Sequence, residues 1–214
     1  MRFISLLGLI LLIAIAALML TAPAARADKG ARTLEDGNWA LQFGIRSDLT
    51  LGTFESGSIS FKQLLSQRSA LRYGISVHYS YSGSNGEVHD TRDDLSVIYQ
   101  RYVNPDATAK FYWGTGPYLL FGYRYSLRSR DTYYDERIQK QWGAGWYGVG
   151  GVEWFVTDVI SLHAEYRMSA IYSWQSYRLE SKATYSDVRV AEDKQDAFNF
   201  SNNGDVLFGL SVYF

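Results

Sequence analysis

The chain has 214 residues, no cysteine and a formal net charge of −1, and 34 of its residues are Trp, Tyr or Phe. This length is enough for one large domain or two small ones. The near-neutral charge argues against a nucleic-acid-binding protein, which usually carries a basic excess. Without cysteine, a disulfide framework, a thiol nucleophile and a cysteine-ligated zinc site are excluded.

The first 27 residues have the pattern of a secretory signal peptide. Arg2 supplies the positive start, residues 4–20 are almost wholly apolar, and Ala25-Arg26-Ala27 offers small residues at the two positions that a signal peptidase reads. An uncleaved membrane anchor is the alternative, but the apolar run is slightly short for a span of ~20 residues. Cleavage after Ala27 leaves 187 of the 214 residues, with 19 basic and 22 acidic side chains. Residues 28–37 then form a short periplasmic N-terminal segment.

From Asn38 onward, apolar and polar residues alternate, which is the period of a strand with two different faces. The pattern is clearest over residues 71–82 and 160–174. It predicts eight strands, at 39–46, 57–64, 70–81, 94–103, 111–127, 142–156, 160–178 and 204–214, joined by alternately long and short connections. The predicted fold is therefore all-β: an eight-stranded antiparallel up-and-down transmembrane β-barrel over residues 38–214.

A soluble β-sandwich would also alternate, but three features favour the barrel. Several predicted strands have ten or more residues, whereas strands of soluble proteins average about 5–6. The polar face is rich in Arg, Glu, His, Gln, Gly and Ser, which suits a barrel interior. The apolar face is rich in Tyr and Trp, as expected of aromatic girdles at two membrane interfaces. The girdle candidates are Tyr79, Tyr81, Tyr99, Tyr123, Tyr125, Trp154, Tyr166, Tyr172 and Trp174.

Two stretches resemble a known family. The chain ends with a terminal Phe214, an apolar Val212 and a glycine five positions upstream, Gly209, and this ending resembles the C-terminal assembly signal of bacterial outer-membrane barrels. Residues 151–158 and 161–167 resemble a hairpin of small OmpA/OmpX-type barrels: a glycine-rich strand, a Thr-Asp turn and a strand ending in Glu-Tyr-Arg. The resemblance implies a monomer in the outer membrane of a Gram-negative bacterium. It also implies contact with outer-membrane lipids and lipopolysaccharide, and recognition by the barrel-assembly machinery.

Strand parity predicts a set of inward-facing charges. These are Arg46, Lys62, Arg72, Arg124, Glu153, Glu165 and Arg167. Glu153 and Glu165 lie across a short turn, so we expect them at similar depth, with Arg167 or Arg72 as the partner. The network is either a structural plug or the lining of a narrow pore. The interior of an eight-stranded barrel is about filled by side chains, but interior Gly and Ser residues leave space and keep the pore open as a hypothesis.

An enzymatic site is not expected. Some small barrels are lipid-modifying hydrolases with a His and a Ser two positions apart, as in His78 and Ser80 here, but parity directs both inward and no acid is suitably placed. His89 is predicted in a loop and His163 in the interior, and neither has a second His at ligand spacing. We therefore predict no catalytic residue, no cofactor and no metal.

The remaining functional candidates are two polar outer loops, residues 128–141 and 179–203. They are predicted either to bind an extracellular ligand or to be solvated strand tips above the membrane. The leading interpretation is a non-enzymatic outer-membrane barrel, structural or surface-interacting. The alternatives are a narrow passive porin-like channel for small solutes or ions and, third, a lipid-modifying enzyme.

Overall fold

A computed structural model describes residues 37–46, 56–83, 87–130, 133–183 and 189–214. The strands are β1 (Trp39–Arg46), β2 (Ser56–Ser66), β3 (Ser69–Ser82), β4 (Glu87–Tyr102), β5 (Ala109–Arg130), β6 (Tyr133–Phe155), β7 (Ile160–Ala183) and β8 (Arg189–Tyr213). They form one closed antiparallel barrel in chain order, which confirms the predicted fold class. The predicted signal peptide, and the N-terminal segment up to residue 36, lie outside the described residues. In the described ranges, no helix is long and apolar enough to cross a membrane.

The barrel closes where the two ends of the sheet meet. Strand β8 pairs with β1 in a continuous register from Tyr213 opposite Ala40 to Leu207 opposite Arg46. Next to this ladder, Trp39 and Phe214 exchange two backbone hydrogen bonds of 3.0 and 2.9 Å. Closure gives the first and last strands of the sheet a partner, so that neither remains as an open edge.

Three short turns, the start of β1 and the end of β8 lie at one end of the barrel, which we call the turn end. Residues 67–68, 103–108 and 156–159 make the turns. Asn104 organises the second turn by accepting a hydrogen bond from the Phe111 amide at 2.6 Å and donating to the Ala109 carbonyl at 2.9 Å. Thr157 accepts a hydrogen bond from the Ile160 amide at 3.0 Å in the third. The opposite end is called the loop end.

At the loop end the strands run much further than the sequence pattern predicts. Strand β4 starts at Glu87 instead of residue 94, and β6 starts at Tyr133 instead of residue 142. Strand β7 continues to Ala183, and β8 begins at Arg189. The two predicted outer loops, 128–141 and 179–203, are therefore mostly paired strand, so the predicted strand bounds are wrong here and the alternative of strand tips describes these residues. Alternation fades there because both faces carry polar side chains, whereas backbone hydrogen bonding continues unchanged.

The distribution of side chains is inverted relative to a soluble protein. Large apolar groups are exposed on the outside, including Trp142 at 55% and Trp154 at 52%, whereas the interior holds Lys62 and Glu165 at 1% each. The apolar face of β6 runs from Trp154 to Trp142, twelve residue steps along the strand, and the next outward residue is Lys140. At ~3.3 Å per residue and a tilt of ~40°, these steps span roughly 30 Å, the thickness of a hydrocarbon core. The exterior is that of a membrane-spanning barrel.

Two glycines provide a matched test of how tightly β5 packs on β4. A Cβ on Gly116 would lie 1.9 Å from the Val97 carbonyl oxygen, whereas a Cβ on Gly150 would meet no atom within 4 Å. We expect Gly116→Ala to lower the free energy of unfolding by ~1–3 kcal/mol, because the backbones must separate. Gly150→Ala should leave it unchanged or raise it slightly. Urea unfolding of the refolded barrel, followed by tryptophan fluorescence, measures both, and an equal effect of the two substitutions would contradict this packing.

Candidate functional site

The first part of the interior network surrounds the carboxylate of Glu153. Lys62 Nζ donates to both of its oxygens, at 3.0 and 2.8 Å. The hydroxyls of Tyr102 and Tyr213 each donate at 2.7 Å, and Ser161 Oγ donates at 2.5 Å. The carboxylate and its ammonium partner are each about 1% exposed. The buried charge is thus neutralised and hydrogen-bonded on all sides, as a low-dielectric interior requires.

The second part surrounds Glu165. Arg72 binds it in a bidentate manner, with hydrogen bonds of 2.6 and 2.8 Å from its two terminal nitrogens. Arg167 Nε donates at 2.6 Å and the Tyr112 hydroxyl at 2.9 Å. A bidentate guanidinium–carboxylate pair fixes orientation as well as charge. Because two arginines bind one carboxylate, this part of the network has one excess positive charge.

The two carboxylates belong to successive layers. In the β6–β7 register, Glu153 lies opposite His163 and Glu165 lies opposite Gly151, one inward position apart. The expectation of similar depth therefore holds to within one inward position, and the partners Lys62 and Arg72 lie directly opposite each other. The Tyr112 ring reaches Glu165 across Gly151, since a Cβ there would lie 2.6 Å from that ring. Each carboxylate thus collects its own set of partners.

Both ion pairs cross the barrel. Lys62 is on β2 and Glu153 on β6, while Arg72 is on β3 and Glu165 on β7. In a closed ring of eight strands in chain order, strands four positions apart are on opposite walls. Each pair therefore spans the lumen rather than running along a wall. Together the two pairs tie four strands across the interior.

Apolar side chains complete the closure at the turn end. One buried cluster consists of Ala40, Leu64, Ala70, Tyr102, Tyr112, Phe155 and Tyr213. Toward the middle of the barrel, the Tyr118 and Tyr147 rings stack at 3.9 Å between centroids. The Tyr118 ring covers Gly145, where a Cβ would lie 2.5 Å from it. The space that Gly145 and Gly151 leave is therefore filled by tyrosine rings.

Parity placed the interior charges well, and the two expected partners, Arg72 and Arg167, both bind Glu165. Lys62, Arg72, Glu153, Glu165 and Arg167 meet in the network. The prediction gave Glu153 an arginine partner, whereas the structure gives it Lys62. The tyrosines that donate to both carboxylates were missed as ligands, although they share the inward parity of the charges.

The other two predicted interior charges are not in the network. Arg124 points into a cavity at the loop end and is exposed to it. The backbone of Arg46 ends β1, but its side chain lies outside the described part of the structure.

No histidine lies beside a serine on the lipid-facing wall in the described ranges, and the interior His163 is buried, with Nδ1 3.2 Å from Ser211 Oγ. His78 lies opposite Arg92 on the inner face, so it does not face the lipid. His89 was predicted in a loop but lies on β4, where it faces outward, with Nδ1 3.3 Å from the Tyr79 hydroxyl and its ring 4.9 Å from that of Tyr81. Within the ranges that the structure describes, no group of three His, Cys, Asp or Glu residues could hold a metal ion.

Above the network the barrel is open. Three adjoining cavities of about 570, 380 and 50 Å³ share Gln139, and we call them together the vestibule. Polar groups that line the vestibule include Asp90, Arg92, Asp94, Arg124, Arg128, Asp135, Arg137, Gln139, Gln141, Arg167, Gln175, Tyr177 and Asn199. The deepest cavity reaches Arg167, so the network forms the floor of the vestibule.

Removal of one network carboxylate should be far more destabilising than removal of a surface ion. We expect Glu165→Ala to lower the free energy of unfolding by ~3–5 kcal/mol, because Arg72 would remain buried without its counter-ion. The control is Arg178→Ala, which breaks an exposed pair with Glu180 at 3.8 Å and should cost ~0–1 kcal/mol. Denaturant unfolding in detergent micelles compares the two. Similar losses would mean that the network does not stabilise the barrel.

Comparison with known proteins gives likeness of fold only. No family model and no curated protein sequence matches the chain. Among solved structures, a major outer membrane protein from Thermus thermophilus aligns with 83% of this chain and 99% of its own, at 11% identity and a TM-score of 0.49. LpxR from Salmonella typhimurium aligns with 83% and 99% at 8% identity and a TM-score of 0.27. A loop-deletion mutant of OmpT, an outer membrane protein of Vibrio cholerae, aligns with 83% and 97% at 7% identity and a TM-score of 0.16. At these scores none of the three carries an argument about function.

Proposed function

We propose that this chain is a non-enzymatic outer-membrane β-barrel of a Gram-negative bacterium, of the small OmpA/OmpX type, whose lumen does not conduct. It serves as a structural or surface-interacting protein and acts through its loop end. The observation that carries the proposal is the floor: two ion pairs across the lumen and a ring of buried tyrosines. A passive pore would need this floor to open.

The proposal also specifies what contacts the protein in the membrane and during assembly. The protein is a monomer whose exposed apolar belt contacts outer-membrane lipids and lipopolysaccharide. The barrel-assembly machinery recognises its C-terminal residues. In the folded barrel, Gly209 has a packing reason as well, because a Cβ there would lie 2.2 Å from the Phe43 carbonyl oxygen. Val212 and Phe214 are exposed on the outer face and are available to lipid.

The geometry of two histidines supports the proposal of a non-enzymatic role. A lipid-modifying site on the outer wall needs nucleophile, base and acid on the lipid-facing surface. His78 lies on the inner face of β3, and Ser80 shares its parity. His89 does face outward, but its close neighbours are the tyrosines Tyr79 and Tyr81 rather than a nucleophile and an acid.

The orientation can be tested with single cysteines, since the natural chain has none. Glu192→Cys lies on the exposed loop end of β8, and Asp106→Cys lies in a turn at the opposite end. In intact cells we expect a membrane-impermeant maleimide to label the first variant only, and to label both after the outer membrane is permeabilised. Labelling of the turn variant in intact cells, with no labelling of the β8 variant, would reverse the orientation.

The closed lumen can be tested by single-channel recording in planar bilayers. We expect refolded wild-type protein to give no stable channels, because the ion pairs and tyrosines occupy the lumen. A Glu153→Ala, Glu165→Ala double variant, shown to be folded, serves as the comparison. Reproducible wild-type channels whose conductance changes in the double variant would instead make the lumen the functional site and favour the porin-like alternative.

A further inference from the structure

We propose that the vestibule binds an anionic oligosaccharide, one that carries sulfate, phosphate or carboxylate groups, through Arg92, Arg124 and Arg128. This deepens the proposed function, because it names the ligand class for the loop end and rests on a lumen that is closed below. The position of these arginines, the absence of an ion-pair partner for them among the described residues, and the groups around them each point to this ligand.

The three arginines converge on one wall of the vestibule. Arg92 is on β4, and Arg124 and Arg128 follow the inward parity of β5. In the β4–β5 register, Arg92 lies opposite Gly122 and Arg124 lies opposite Asp90, so the two arginines are one inward step apart on neighbouring strands. Both line the smallest cavity, of about 50 Å³, which adjoins the two larger ones.

These arginines are not engaged in ion pairs with any described residue. None of the three has a carboxylate oxygen of the described part of the chain within 4.0 Å, whereas Arg72 and Arg167 share Glu165. All three are exposed to the vestibule rather than buried. A guanidinium group presents a planar fork of donors that matches sulfate, phosphate or carboxylate oxygens. The wall therefore offers anion-binding groups next to a floor in which both carboxylates are already matched.

The other lining groups favour a sugar over a bare anion. The amides of Gln139, Gln141 and Gln175 line the same space and can both donate to and accept from hydroxyls. Asp135 is buried at the edge of the largest cavity, where Oδ1 accepts no hydrogen bond from any described residue. A sugar hydroxyl would supply the missing donor. The two larger cavities, of about 380 and 570 Å³, have the size of ordinary ligand sites.

The ligand must enter from the loop end, because the floor closes the barrel toward the turn end. Two sources share the required chemistry: a free anionic oligosaccharide in the medium, and the phosphorylated sugars of lipopolysaccharide in the surrounding leaflet. Both place charged groups and hydroxyls on a sugar ring. Titration with and without lipopolysaccharide separates them.

The test is calorimetric titration of the refolded full barrel in detergent with a heparin-derived tetrasaccharide, and with neutral cellotetraose as the control ligand. We expect binding of the sulfated sugar only, and weaker binding at ~1 M than at ~0.1 M salt. In the Arg92→Gln, Arg124→Gln double variant we expect affinity to fall by at least about tenfold. The matched control is Arg101→Gln, an exposed arginine on the outer face of β4 near the turn end, which should bind as wild type.

A second arm identifies the source. The titration is repeated in vesicles with and without lipopolysaccharide. Loss of binding with lipopolysaccharide present assigns the site to its phosphorylated sugars, and unchanged binding assigns it to a soluble ligand.

Three results would overturn the proposal: no binding of the sulfated sugar, equal binding of cellotetraose, or equal losses in the Arg92/Arg124 and Arg101 variants. Heat-modifiable migration in gels verifies that each variant is folded. Selective binding by a protein that also forms wild-type channels would refute the closed lumen while leaving the site intact.

Discussion

At the turn end, the interior of this barrel is too narrow to leave a charge in water, so each carboxylate of the network has to be matched by a cation on another strand. Glu165 and Arg72 meet this requirement from opposite walls, β7 and β3, and Glu153 and Lys62 meet it from β6 and β2. An unmatched buried charge would cost several kcal/mol, so a change of register that separates either pair is strongly disfavoured. The register of four strands is therefore coupled through the centre of the molecule, and not only through the hydrogen bonds around its wall.

This coupling divides the barrel into two regions with different chemistry. At the turn end, tyrosine hydroxyls, serines and two ion pairs leave both network carboxylates fully bonded, and aromatic rings fill the remaining space. At the loop end, arginines that pair with no described carboxylate face a wide, polar vestibule. Because the floor is closed, the inner surface forms a cup that opens at the loop end instead of a channel through the barrel. The proposed function accordingly uses the cup and the projecting strands.

Residues that broke the sequence pattern mark the level at which the barrel leaves the membrane. Alternation requires two different environments, lipid outside and polar lumen inside, and it fades once water reaches both faces. Residues 128–141 therefore resembled a loop, although β5 and β6 remain paired through them. His89 was misplaced for the same reason, because most of residues 82–94 are polar or glycine while the ladder of β4 continues to Glu87.

The amino-acid sequence was sufficient to predict the eight strands that cross the apolar belt, their order, and the inward direction of Lys62, Arg72, Glu153 and Glu165. These follow from a period of two that one chain segment carries on its own. The pairing of each charge, the role of the tyrosines as donors and the closure of the lumen at one end emerge only in the folded barrel. Such contacts join strands two or four positions apart round the ring, and they depend on barrel closure and stagger, which no local pattern encodes.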